Sequence, residues 1–66
     1  MTDRIAINIR NILYKRNITQ KALAERSGYS YQHIHNICRG KYSQIGTETL
    51  EILSKSLQVD AKELIK

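Results

Sequence analysis

Between Thr19 and Arg39 the chain reads TQKALAERSGYSYQHIHNICR, a stretch that favours two short helices joined by a tight turn. Thr19 is placed to cap the first helix, its side-chain oxygen accepting from the free N–H groups of the opening turn. Ile18 before the cap and Leu23 after it form a hydrophobic staple, which fixes the direction of the incoming chain. Leu23 and Ala24 face inward, and the small Ala24 lets the next helix approach closely. Gly28 ends this helix in the left-handed conformation that glycine adopts at little steric cost. Ser30 then caps the second helix, and Tyr29 with Ile34 repeats the staple.

The second helix of the pair has two unlike faces. A step of about 100° per residue puts Ile34, Ile37 and Cys38 on one side. Gln32, Asn36 and Arg39 lie opposite, with His35 beside them and Tyr31 and His33 on the flanks. The inward face is plain. The outward face is rich in hydrogen-bonding groups and carries no acid. Gly40 ends the helix.

The flanking segments read as packing for this pair. Thr2 and Asp3 can start a helix, and Ile5, Ile9, Ile12 and Leu13 recur at the spacing of one apolar helical face. That helix runs to Arg16 and stops at Asn17, with Lys15 and Arg16 near its C-terminal dipole. Ile7 falls off the apolar face. Lys41 to Gly46 reads as a loop, polar except for Tyr42 and Ile45. A fourth helix starts near Thr47 with Leu50, Leu53 and Leu57 inward and Ile52 off that stripe. Asp60 opens a short fifth helix, with Glu63 spaced for a capping box and Val59 against Leu64 as a third staple. No β-period, repeat or proline interrupts the pattern, so the expected fold is all-α, with five helices and residues 1–66 as a single domain.

A domain of 66 residues buries only about 60% of its unfolded surface, so its core leaves little surplus stability. The lone Cys38 forms no internal disulfide and suits a reducing compartment, and no stretch of about 20 apolar residues is present to cross a membrane. These features predict a cytoplasmic protein with no membrane association. The charge is uneven. Residues 1–41 hold eight Lys/Arg against Asp3 and Glu25, whereas residues 42–66 hold three Lys against four acids. A basic pole that coincides with the two-helix unit is what a polyanion-binding domain needs.

The residues Gln20, Leu23, Ala24, Gly28, Ser30, Ile34, Ile37, Arg39, Gly40 and Lys41 stand in a register that resembles the lambda-repressor-like, Cro/CI-type helix-turn-helix family, the XRE group. The resemblance extends over nearly the whole chain, from Ile9 and Arg10 to Thr49, Leu50, Leu53 and Leu57. It implies a compact five-helix domain, its helix-turn-helix formed by helices 2 and 3, that binds double-stranded operator DNA, usually as a homodimer. Carried over by position, Tyr31, Gln32, His35 and Asn36 meet base edges. Thr19, Gln20, His33, Arg39 and Lys41 meet the DNA backbone. Two departures stand out. Where several phage members carry an Arg–Glu pair between the first and third helices, this chain has Leu13 and Cys38, an exchange of a buried ion pair for an apolar one that costs the fold little. The loop around Gln44, Ile45 and Gly46 is one residue longer than usual and lacks the common proline, which leaves its phosphate contacts undefined.

The amides of Gln32 and Asn36 suit bidentate bonds to adenine N6 and N7, and Arg39 and Lys41 suit phosphate. Tyr31 can pack on a thymine methyl, donate to phosphate, or serve as a half-buried flank. No metal site is expected: His33 and His35 point about 160° apart on a helix, and a fourth ligand is missing. No catalytic constellation, cofactor motif or small-molecule site is visible, so the chain reads as a regulator that represses by occupying a palindromic operator. The rival is a protein-interaction module on the same fold, an antitoxin or adaptor. Ile7, Ile45, Ile52, Leu64 and Ile65 are the candidate subunit contacts.

Overall fold

The computed structural model describes residues 2–42 and 44–66, with side chains of the first helix from Arg4 onward. Among the described residues there are five helices and no strand: α1 (Thr2–Arg16), α2 (Gln20–Ser27), α3 (Tyr31–Cys38), α4 (Thr47–Leu57) and α5 (Lys62–Ile65). The capping role expected of Thr2 and Asp3 falls outside the described side chains.

Each of the first four helices ends in a left-handed residue, which closes the chain into a compact path. Asn17 (φ 58°) follows α1, with its own N–H bonded to the Tyr14 carbonyl and the Ile18 N–H bonded to the Leu13 carbonyl. This is the Schellman pattern, in which the last carbonyls of a helix find donors and the following apolar residue turns inward. Gly40 (φ 71°) repeats its two hydrogen bonds after α3, with exposed Lys41 in the following place, and Gln58 (φ 59°) repeats the whole pattern after α4, where Val59 turns onto the core. Gly28 (φ 82°) closes α2 by the simpler single bond from its N–H to the Ala24 carbonyl. Thr19 and Ser30 cap α2 and α3 through side-chain oxygens that accept from the Ala22 and His33 N–H groups, at 3.0 and 3.1 Å.

The apolar residues read from the helical period meet in one core. Ile9, Leu13, Leu23, Ala24, Ile34, Ile37, Cys38, Leu53, Leu57 and Leu64 form it, so every helix contributes at least one buried side chain. Ile18, Tyr29 and Val59, the outer halves of the three staples, pack against it. Leu13 and Cys38 are both buried, in keeping with an apolar exchange for an ion pair. α1 packs on α3 and α5, and α2 packs on α3 and α4.

α1 also serves the ends of three other helices. Asn8 Nδ2 donates to the Leu64 carbonyl at 2.9 Å, Arg16 Nη1 donates to the Leu57 carbonyl at 2.9 Å, and Arg10 Nη1 donates to the Cys38 carbonyl. Carbonyls at helix C-termini carry partial negative charge and lack intrahelical donors, so a guanidinium there is favourable on both counts. Arg10 thereby ties α1 to the end of α3, next to the position where the ion pair is absent.

Two expectations need correction. The fifth helix begins at Lys62 and not at Asp60, with Ala61 at its cap position and no side-chain cap bond. Glu63 turns instead to Lys66, at 2.8 Å, and this hydrogen bond, followed by the lysine charge, holds its carboxyl below the usual range. A single turn leaves too little helix for a reciprocal box: the Glu63 and Leu64 N–H groups bond the Asp60 and Ala61 carbonyls, three residues back. Leu64 is fully buried and belongs to the core, so it is unavailable as a subunit contact.

Candidate nucleic-acid interface

α2 and α3 pack directly on each other, and the turn between them places the first residues of α2 beside the outward face of α3. Thr19, Gln20, Lys21, Tyr31 and His35 line one open cleft there. The Nδ1 of His35 shares a 3.0 Å hydrogen bond with Gln20 Oε1, and the His35 ring stacks on Tyr31 with centroids 5.9 Å apart and planes at 17°. Four of the residues expected at the interface therefore converge: Thr19, Gln20, Tyr31 and His35. Lys21 joins them, and sequence reading passed over it. Its signal was its place beside Gln20, one residue inside the start of a helix whose first turn carries no acid.

Gln32 and Asn36 stand one helical turn apart on α3, and Gln32 Nε2 donates to Asn36 Oδ1 at 3.1 Å. Gln32 is exposed and Asn36 half-buried. In this arrangement Gln32 keeps its carbonyl oxygen and one N–H, while Asn36 keeps both of its amide hydrogens. Those are the groups that match acceptors and donors on base edges in a major groove. Tyr31, 52% exposed, lies at the N-terminal end of the same face. Arg39, the C-cap residue of α3, and Lys41 after it are both exposed at the other end.

His33 goes elsewhere. Its half-buried ring lies between Tyr29, with centroids 4.9 Å apart, and Tyr42, with centroids 5.4 Å apart. Its Nδ1 shares a 3.1 Å hydrogen bond with the Tyr42 hydroxyl, and the Tyr29 hydroxyl donates to Thr49 Oγ1 at 3.4 Å. The two histidines thus serve opposite flanks of α3, and Cys38 sits on the buried face between them. Burial pushes the Cys38 thiol above its ordinary range, with the Arg10 charge pulling weakly the other way. A buried neutral thiol is a packing group. Among the described residues no group of three His, Cys, Asp or Glu converges as a metal site would require.

The field around this face is one-signed. From Arg4 to Thr47 the only acid is Glu25, whereas Lys21, Arg39 and Lys41 are all exposed around the polar face of α3. The acids of the second half lie on α4, Asp60 and α5. Among the described residues no helix is long and apolar enough to cross a membrane.

Residues 9–64 match a family model described as helix-turn-helix. No curated protein matches the chain. Among solved structures, a hypothetical transcription factor, NHTF from Neisseria, superposes with a TM-score of 0.91 at 22% identity, covering 98% of this chain and 74% of that one. The restriction-modification controller protein C.AhdI from Aeromonas hydrophila superposes with a TM-score of 0.88 at 19% identity, covering 96% of this chain and 94% of that one. At such identities the likeness is one of fold.

Proposed function

The chain belongs to the lambda-repressor-like helix-turn-helix family of DNA-binding regulators, and on that premise we propose that it recognises a specific duplex site by laying α3 in the major groove. The observation that carries this reading is the outward face of α3. It presents Gln32 and Asn36 as a hydrogen-bonding pair, without a competing acid, between the Gln20–His35–Tyr31 cluster and the cations Arg39 and Lys41. In this reading Gln32 and Asn36 read base edges, with Tyr31 beside them. Thr19, Gln20, Lys21, Arg39 and Lys41 hold the phosphates. His35 orients Gln20 through Nδ1 and offers its other ring nitrogen to a base edge.

The protein acts as a homodimer on a two-fold-symmetric operator, with half-sites about 34 Å apart so that both α3 helices reach successive major grooves. Exposed Ile7 and Ile65 are the apolar side chains best placed to contribute to the pairing. It works in the cytoplasm, without a cofactor, as a repressor that excludes polymerase by occupancy.

The test is selection from a pool of randomised duplexes, followed by gel shift of the enriched sequence across a range of KCl concentrations. The expected product is an inverted repeat bound at least about 10³ times more tightly than random duplex. Arg39→Ala and Lys41→Ala should each lower the slope of log K against log salt by about 0.9 while leaving the ranking of sequences intact. A pool with no enriched sequence contradicts the reading.

A further inference from the structure

We propose that His33 is a positioning residue for DNA binding: through Tyr42 it fixes Lys41 against the phosphate backbone, and it does not itself meet the DNA. This rests on the reading that α3 docks in a major groove. Lys41 follows the left-handed Gly40, and its backbone N–H is bonded to the Asn36 carbonyl at 3.1 Å. That bond sets where Lys41 begins. The next residue sets where it leads, because the Tyr42 hydroxyl is tied to His33 Nδ1 at 3.1 Å and its ring packs on the His33 ring. The His33 ring is held in turn by Tyr29, whose hydroxyl reaches Thr49 on α4. Lys41 is thus pinned on both sides to α3, and the pin is braced against α4.

The chemistry suits a fixed strut. Either neutral tautomer of His33 keeps the bond, since the Tyr42 hydroxyl can donate to a bare Nδ1 or accept from a protonated one. The ring is half-buried on the flank of α3 facing Tyr29 and Tyr42, away from the Gln20–His35 cleft. A lysine on a four-carbon stem loses much rotational freedom when it grips a phosphate, and with the backbone on either side unrestrained that cost leaves Lys41 in water, so the restraint decides whether the contact and its counterion release occur.

The experiment measures the salt slope for binding to the selected duplex with Tyr42→Phe, His33→Ala and His33→Asn, each alone and combined with Lys41→Ala. Tyr42→Phe keeps the ring and its packing and removes only the hydroxyl. Its slope should fall by up to about 0.9, the value of one phosphate contact, with base discrimination unchanged. His33→Ala should do the same. His33→Asn, whose amide nitrogen overlies the Nδ1 position, should recover at least half of the loss. In the Lys41→Ala background none of the three should lower the slope further. Thermal melts of each variant separate this effect from unfolding. A full slope in Tyr42→Phe and His33→Ala, or losses that add to that of Lys41→Ala, overturns the positioning role and leaves the DNA-binding reading in place. A wild-type protein that selects no duplex overturns both.

Discussion

Gln32→Ala should weaken binding to the selected duplex by about 1–3 kcal/mol, roughly 5- to 150-fold, and leave binding to random duplex nearly unchanged. The reason lies in the division of labour on α3. Gln32 is exposed, and its side chain bonds only within the polar face of α3, to Asn36, so its removal should cost the fold little. On the proposed docking of α3, what it removes is an acceptor and a donor offered to the base edges. Asn36→Ala should have an effect of the same order. Because Gln32 Nε2 donates to Asn36 Oδ1, each amide helps to orient the other, and the two losses should not add. The double variant is expected to lose less than the sum of the singles. Gel shifts of the wild type and the three variants on the selected and random duplexes measure these losses. An equal loss on both duplexes would mean that Gln32 contributes general attraction and no sequence reading.

Leu53→Ala should be among the most damaging single changes to the fold, costing about 2–5 kcal/mol. Leu53 is fully buried on α4, in the core shared with α2 and α3, and no disulfide braces the chain. Domains of this size have total stabilities of only about 3–10 kcal/mol at the usual 0.05–0.15 kcal/mol per residue. The variant should therefore melt tens of degrees lower, at about 4–8 °C per kcal/mol, or be unfolded at room temperature. Circular dichroism against temperature decides it. A melting point within a few degrees of wild type would mean that the core relaxes around the gap, and that packing between α4 and α2 matters less than its burial implies.

What could be read from the sequence was local. Thr19, Ser30, Gly28, Gly40 and Asn17 each act within a few residues of where they stand, and each does in the structure what its chemistry predicts. The apolar periods placed the core for the same reason, since side chains three and four apart must share a helical face. Contacts between distant parts of the chain were illegible. Asn8 and Leu64 are 56 residues apart, and Arg16 and Leu57 are 41 apart, so no spacing rule links them. Arg10 offered a charge and no hint that a helix end elsewhere would use it. The interface shows the same limit. Gln32 and Asn36 were visible as a helical face, whereas the bond from His35 to Gln20 crosses a turn between two helices, and the bond from His33 to Tyr42 needs the chain to double back after Gly40. The capping box at Asp60 shows the opposite failure, a local signal overruled because the helix it would cap is a single turn long.

On the proposed function, α3, flanked by the start of α2 and by Arg39 and Lys41, is the surface that meets DNA. The most direct measurement is an NMR titration of the labelled protein with the selected duplex, following every backbone amide. The largest changes should fall on Gln20, Lys21, Tyr31, Gln32, Asn36, Arg39 and Lys41, with Glu51 and Lys55 on α4 and Lys62 on α5 nearly still. Changes centred instead on Ile7, Tyr14 and Ile65, with α3 unmoved, would contradict it.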